Sequence, residues 1–205
     1  MTSRRASCSI CRRPFEMIAL LMGRLEGILM AYTEFTLWLT PGEPLRTLLR
    51  STISQLAARF EAVEFEPHVT VFCGPSTEAE ARAVAHRVAG QFSPIELTAA
   101  GLDHTEHYTK TLFVQFQESS CLRRIFETAA AHYSRSSDYL LNPHLSLIYK
   151  KLHEDIRRKL CETVDVPMGS YRFDRVRMIE TELPIEDHGP VRRWRVVCDE
   201  PLDGS

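Results

Sequence analysis

The sequence predicts an α+β fold in which two similar lobes, related by a pseudo-twofold axis, enclose a central groove. Two observations support this prediction. The order strand, helix, strand, helix, strand occurs twice along the chain. The middle strand of each half also carries the same pattern, Pro-His-apolar-hydroxyl-apolar, at 67–71 and again at 143–147. The offset between His68 and His144 relates the other elements of the two halves as well, so a duplicated fold would bring the two patterns together.

Alternating polarity, turn residues and helix caps predict the elements of the first half. Pro44 stands where proline commonly opens a helix, and Thr77 with Glu80 has the spacing of a capping box. The predicted elements are a strand at 35–39, a helix at 45–60, the first histidine strand ending at Gly74-Pro75, a helix carrying core residues at 81–88, and a strand at 95–102.

The second half repeats this order and adds one closing strand. Leu122, Ile125 and Phe126 recur at the spacing of a helix face that contacts a core. The predicted elements are a strand at 112–116, a helix at 119–133, the second histidine strand, a short helix at 153–161, a strand at 171–179 and the closing strand at 194–198.

Each histidine strand should present one imidazole and one hydroxyl on the same face, because residues i and i+2 of a strand point the same way. The pairs are His68 with Thr70 and His144 with Ser146. The bare His-x-Ser/Thr pattern is weak evidence, since His107 and His132 also satisfy it. Only the first two histidines follow a proline and lie within apolar alternation, so we expect these two to line a common groove.

Two histidines facing two hydroxyls suit acid–base chemistry on a phosphodiester. The ordinary pKa of imidazole, about 6.5, allows one ring to accept a proton while the other donates one near neutral pH. The hydroxyls of Thr70 and Ser146 can donate hydrogen bonds to the phosphate oxygens, where charge develops in the transition state. This chemistry requires no metal and no cofactor.

These residues resemble the 2H phosphoesterase superfamily, and within it the cyclic phosphodiesterases of plants and yeast. The resemblance spans about residues 33–200 and is carried by Thr36-Leu37-Trp38-Leu39, by 66–71 and by 143–149. It implies antiparallel sheets with outer helices around a central groove. It also implies hydrolysis of ADP-ribose 1″,2″-cyclic phosphate to the 1″-phosphate and of nucleoside 2′,3′-cyclic phosphates to 2′-phosphates.

The resemblance also implies roles for individual residues. His144 would be the base that activates water, and His68 the acid that protonates the departing sugar oxygen. Thr70 and Ser146 would hold the phosphate. Tyr149 matches a tyrosine that lines the site in similar enzymes, although as a strand residue it would point away from His144 unless the strand ends or twists there.

A few further residues are candidates for contact with the substrate or a metal. Lys110 is a candidate for a substrate phosphate, and Tyr108 or Trp38 for stacking on a base; a solvated lysine and packed aromatic rings are the alternatives. The run at 103–107 gathers potential metal ligands, but its polarity is more typical of a turn between two strands. We therefore predict no metal site.

The composition limits which partners we expect the protein to bind and in which cellular compartment we expect it to work. A net charge of −2 over 205 residues gives no basic bias for long nucleic acid, so we expect a small cyclic-phosphate nucleotide as substrate and a monomeric protein. Six cysteines without regular spacing indicate free thiols and a cytoplasmic setting. The apolar run at 17–22 is too short to span a membrane. We expect residues 1–29 to be a dispensable extension and the working domain to cover 30–205.

Two alternative functions remain open from the sequence. One is an enzyme that acts on RNA ends, either a 2′,3′-cyclic phosphodiesterase or a 2′-5′ RNA ligase-like protein, for which a basic groove would be the expected sign. The other is a catalytically silent nucleotide-binding module on the same fold. The presence of both histidines and both hydroxyls argues against the second alternative.

Overall fold

The computed structural model describes residues 33–135 and 137–204. The expectations for residues 1–29 and for a domain start near Met30 concern positions outside these ranges. The helices are α1 (Leu45–Phe60), α2 (Glu78–Gln91), α3 (Ser120–Ala130), α4 (Glu154–Thr163) and α5 (His188–Arg192). The strands are β1 (Thr33–Pro41), β2 (Val69–Ser76), β3 (Ile95–His104), β4 (Leu112–Phe116), β5 (His144–Ile148), β6 (Ser170–Thr181) and β7 (Arg195–Pro201).

The predicted repeat of elements is confirmed. The succession β1, α1, β2, α2, β3 is followed by β4, α3, β5, α4, β6, with β7 as the closing strand. Two short elements were not predicted. One is a 3₁₀ turn at Tyr108–Lys110, and the other is α5, which begins after Asp187. The Asp187 side chain accepts a hydrogen bond of 2.7 Å from the amide of Gly189 and so caps the helix.

Every pairing among the described strands is antiparallel, and six of these strands pair in a closed circuit. Its order is β1, β2, β5, β4, β3 and β6, with β6 returning to β1, while β7 extends the sheet beyond β6. The two histidine strands, β2 and β5, meet through a single residue pair, Val69 with Leu145. The sheet is therefore joined at this point by the shortest of its pairings, and the strands diverge on either side of it.

Each lobe takes its elements from both halves of the sequence. Strands β1 and β2 share their lobe with β6 and β7, whereas β4 and β5 share theirs with β3. Helix α1 follows β1 but packs against β5, and α3 follows β4 but packs against β2. Because the helices are exchanged in this way, neither half of the sequence can form a lobe alone.

The apolar positions of the histidine strands lie in the core between sheet and helices. Val69, Val71, Leu145 and Leu147 are fully shielded from solvent. This burial fixes the register of both strands, because a shift of one residue would turn these side chains outward and the histidines inward. Among the residues described, no helix has the length and apolar character needed to cross a membrane.

The capping box predicted at the start of α2 gives a stability test. The Thr77 hydroxyl accepts a hydrogen bond of 3.3 Å from the amide of Glu80. We expect Thr77→Ala to lower the free energy of unfolding by about 1 kcal/mol, since that amide loses its partner. The matched control is Thr52→Ala in the middle of α1, where alanine is the better helix former and stability should not fall. Urea unfolding measures the stability of both variants, and equal losses of stability in the two would contradict the assignment of Thr77 as the helix cap.

Candidate active site

A cavity of about 270 Å³ lies where β2 and β5 meet, and all four predicted side chains line it: His68, Thr70, His144 and Ser146. The pairing of Val69 with Leu145 explains this convergence. In an antiparallel pair that register places Thr70 opposite His144 and Ser146 opposite His68. Each imidazole therefore faces the hydroxyl of the other strand.

Both imidazole rings are oriented by a backbone carbonyl two residues upstream. Nδ1 of His68 lies 2.6 Å from the carbonyl oxygen of Glu66, and Nδ1 of His144 lies 2.7 Å from that of Asn142. A carbonyl only accepts hydrogen bonds, so Nδ1 must carry a proton in both rings. In the neutral rings Nε2 is then unprotonated, and it remains the nitrogen available to a ligand.

Burial favours the neutral form of both rings. It lowers the pKa of His68 to about 3 and that of the more exposed His144 to about 4, because a charged imidazolium loses its hydration there. The hydrogen bonds to Glu66 and Asn142 oppose this effect only in part. Lys110 adds a smaller electrostatic lowering of the pKa at His144.

Aromatic rings enclose His68 on several sides. Trp38 stacks on the imidazole with a centroid distance of 3.6 Å and an interplanar angle of 10°. Trp194 meets Trp38 edge-on at 5.1 Å, and Phe65 stacks on Tyr149 at 3.8 Å. Such packing holds the imidazole in one rotamer and excludes water from one side of it.

An ionic cluster holds the loop that orients His68. The Glu66 carboxylate pairs with Arg46 and Arg50 of α1, and Arg177 of β6 lies 3.7 Å from it. The side chains of Glu66, Arg46 and Arg177 are mostly buried, at 15%, 17% and 13% exposure. Because the carbonyl of Glu66 also receives the His68 hydrogen bond, this cluster ties the imidazole to a helix and a distant strand.

The two hydroxyls differ in their present partners. Ser146 Oγ donates a hydrogen bond of 2.7 Å to the carbonyl of Thr109. Thr70 is half-buried, its carbonyl accepts a bond of 3.0 Å from the Tyr139 hydroxyl, and its own hydroxyl bonds to none of the described residues. Thr70 can therefore donate to a ligand directly, whereas Ser146 must first rotate its hydroxyl away from Thr109.

Of the four other substrate candidates, Trp38 and Tyr149 line the cavity, whereas Tyr108 and Lys110 do not. Tyr149 lines the cavity because β5 ends at Ile148, one residue before it. Tyr108 is buried, its hydroxyl lies 2.9 Å from Nδ1 of His188, and it borders an adjoining cleft instead of this cavity. Lys110 does not line the cavity; its Nζ lies 4.3 Å from the ring centroid of Phe113.

The run at 103–107 does not assemble a metal site. Asp103 and His104 end β3, and Thr105 folds back to donate a hydrogen bond of 2.6 Å to the carbonyl of Lys110. Throughout residues 33–135 and 137–204, no cluster of three or more histidine, cysteine, aspartate or glutamate side chains is arranged to hold an ion.

Sequence reasoning did not single out several residues that line the cavity. Trp194 was recognised only as the start of a strand, although it is one of two tryptophans in the chain. Tyr139, Cys73, Thr36 and Thr181 also contribute to the wall. They come from three different strands and a loop, and nothing in their local sequence indicates that they meet.

The sequence is similar to a known protein family and to a named plant protein. A family model described as the 2′-5′ RNA ligase superfamily matches residues 61–184, more than half of the chain. A protein of Arabidopsis thaliana named cyclic phosphodiesterase is 23% identical over 154 residues, which covers 72% of this chain and 85% of the plant protein.

Solved structures share the fold at low sequence identity. E. coli LigT complexed with 3′-AMP is 14% identical with a TM-score of 0.54, covering 83% of this chain and 98% of LigT. A protein of Thermus thermophilus is 17% identical with a TM-score of 0.56, covering 84% of this chain and 99% of that protein. These likenesses establish the antiparallel α+β architecture.

The lowered histidine pKa values predict how stability depends on pH. The unfolded chain takes up protons at imidazoles of ordinary pKa, about 6.5, while the folded chain keeps the buried rings neutral until near pH 3 to 4. Stability should therefore fall as the pH is lowered from about 7.5 to about 5, with His68 contributing on the order of 2 kcal/mol. Urea unfolding across this pH range should show that the free energy of unfolding of His68→Gln falls less steeply with decreasing pH than that of the wild-type protein. An unchanged slope in the variant would contradict the prediction.

Proposed function

The chain belongs to the 2′-5′ RNA ligase superfamily of 2H phosphoesterases, and on that premise we propose that it is a metal-independent cyclic phosphodiesterase. Its substrates would be ADP-ribose 1″,2″-cyclic phosphate, nucleoside 2′,3′-cyclic phosphates, or both, and its products the corresponding monophosphoesters. The name of the Arabidopsis relative supports this reaction class. The complex of LigT with 3′-AMP supports a mononucleotide as the ligand of this fold.

One observation carries the proposal: two histidines, each with Nδ1 tethered to a carbonyl, share a cavity with two opposed hydroxyls. The tether fixes the tautomer in both rings, so each offers Nε2 to the cavity. A cyclic phosphate between the strands would have one imidazole on either side and a hydroxyl from Thr70 or Ser146 near its free oxygens. Such an arrangement allows one histidine to accept a proton while the other donates one.

In the proposed reaction His144 Nε2 accepts a proton from a water molecule. The oxygen of that water forms a new bond to phosphorus while the bond from phosphorus to one sugar oxygen breaks. His68, protonated at Nε2, donates its proton to this departing oxygen. Thr70 and Ser146 stabilise the negative charge that develops on the remaining phosphate oxygens.

The neutral state of both rings fits a role for the substrate in charging the acid. The acid must be protonated before the reaction, yet burial favours the neutral ring. An anionic phosphate beside an imidazole raises its pKa, because it stabilises the charged form. The substrate is itself such an anion. Its binding would thus raise the pKa of His68 and promote protonation of the ring.

The size of the cavity suits a small substrate. A volume of about 270 Å³, with walls formed by Trp38, Trp194 and Tyr149, can take a cyclic phosphate and its sugar and offers aromatic surface to a base. We place the reaction in the cytoplasm, where the four described cysteines would persist as the free thiols observed. We further propose that the protein acts as a monomer.

The second candidate is a 2′,3′-cyclic phosphodiesterase that acts on RNA ends. The family description favours it, while the net charge of −2 disfavours tight binding of long RNA. Both candidates use the same four side chains and differ in what is attached to the cyclic phosphate.

Activity of histidine variants tests the reaction. We expect His68→Ala and His144→Ala each to reduce kcat/KM by roughly 10²–10⁴, since each removes a proton-transfer group. The assay uses 2′,3′-cyclic AMP and ADP-ribose 1″,2″-cyclic phosphate with EDTA present, and the phosphate isomer of the product is identified. His132→Ala is the matched control, because His132 satisfies the same His-x-Ser pattern but lies exposed in the turn that follows α3.

The outcomes of that assay separate the alternatives. A 2′-phosphate product with losses in both variants supports the two-histidine mechanism. Failure of the wild-type protein to hydrolyse either substrate would overturn the proposed activity. Activity that EDTA abolishes and that survives both substitutions would place the reaction outside this cavity.

A substrate with a better leaving group tests which histidine is the acid. 4-Nitrophenolate departs without protonation, so the acid is not needed for its expulsion. On bis(4-nitrophenyl) phosphate, we expect His68→Ala to recover most of its lost rate relative to wild type, while His144→Ala stays impaired. The reverse pattern would exchange the two roles, and equal recovery would contradict a division into acid and base.

A further inference from the structure

The cavity that holds the two histidines adjoins a second and larger cleft. This cleft has a volume of about 710 Å³ and shares two wall residues, Thr109 and Ile185, with the cavity that holds the histidines. The shared residues make the two spaces neighbours along one surface. A substrate too large for about 270 Å³ would therefore extend past Thr109 and Ile185 into the cleft.

Neither the arginine nor the lysine on the wall of this cleft has a counter-ion among the described residues. Arg157 of α4 lines the cleft, and its Nε is shielded from solvent but bonds to nothing in the part of the chain that the structure describes. The next residue, Arg158, differs sharply. It pairs with Glu154 at 2.9 Å and does not line the cleft.

An arginine that is partly shielded from solvent and has no counter-ion is well suited to bind an anion. Its guanidinium has already lost part of its hydration, so an incoming anion gains a charge-assisted hydrogen bond at a smaller desolvation cost. The planar fork of donors fits the oxygens of a phosphate. Lys151, also on the wall of the cleft, adds a second cation.

Resting on the proposed function, we propose that this cleft is a distal phosphate subsite in which Arg157 binds a second phosphate group of the substrate. The catalytic cavity takes the cyclic phosphate and its sugar. The cleft takes the phosphate attached to the other end of that sugar, which is the diphosphate in ADP-ribose 1″,2″-cyclic phosphate and the phosphodiester in a short RNA ending in a 2′,3′-cyclic phosphate.

The other charges of the cleft limit what it can hold. Three carboxylates, Glu106, Glu154 and Glu186, line it against the two cations Arg157 and Lys151, and the Glu154 carboxylate is already paired with Arg158. Such a wall suits a ligand with one or two additional phosphates. A long polyanion would meet repulsion from the carboxylates beyond the first phosphate, so the occupant is a small nucleotide or the last residues of an RNA end.

The test compares three substrates in two variants. The substrates are 2′,3′-cyclic AMP, which has no second phosphate, ADP-ribose 1″,2″-cyclic phosphate, and the dinucleotide ApA ending in a 2′,3′-cyclic phosphate. We expect Arg157→Gln to lower kcat/KM roughly 10-fold or more on a substrate with a second phosphate, mainly through KM, and less than about threefold on 2′,3′-cyclic AMP. Lys159→Gln, which removes a positive charge from the same helix outside the cleft, should change none of the three.

Each result has one interpretation. A selective loss on ADP-ribose 1″,2″-cyclic phosphate alone assigns the subsite to the diphosphate, and a selective loss on the dinucleotide alone assigns it to an RNA end. Equal losses on all three substrates, or no loss on any, would overturn the subsite while leaving the proposed function intact. Failure of the wild-type protein on all three would overturn the proposed function and the subsite with it.

Discussion

The candidate site depends on one backbone constraint, the single antiparallel pairing of Val69 with Leu145. These two side chains are fully buried, so the core fixes which residues of each strand face away from it. The register then sets each histidine across from the hydroxyl of the other strand. Because only one residue pair joins the strands, they separate on either side of it and leave a cavity between the lobes. A longer ladder would close the space that a substrate needs.

The side chains around the histidines favour the neutral imidazole over the charged one. Burial lowers the pKa of both histidines, Trp38 stacks on His68, and the carbonyls of Glu66 and Asn142 fix the tautomer of each ring. This environment costs stability at acidic pH, since the folded protein cannot accept the protons that the unfolded chain accepts. The charge of each ring can still respond to a bound anion, because an anion beside an imidazole stabilises its charged form.

The exchange of helices between the lobes makes the site a property of the whole fold. Helix α1 leaves one lobe and packs against β5 of the other, and it also supplies Arg46 and Arg50 to the cluster around Glu66. Arg177 reaches the same carboxylate from β6, more than a hundred residues away in sequence. The orientation of His68 is thereby coupled to elements from both halves. Damage to either lobe should disturb the geometry of both histidine strands.

The sequence by itself determined the order of the elements, the duplicated motif and the four polar side chains of the cavity. It could do so because strand alternation, capping residues and the Pro-His pattern are local signals, each readable within a few residues. Tertiary structure alone decided which residues surround the motif. Trp194, Tyr139 and Thr181 join the wall, Tyr149 enters it because β5 ends one residue earlier, and Lys110 turns to Phe113 instead. The interleaved lobes and the neighbouring cleft with Arg157 also arise from contacts between distant segments. Local patterns carry no information about such contacts, because they depend on how the strands close into one circuit and where the helices cross it.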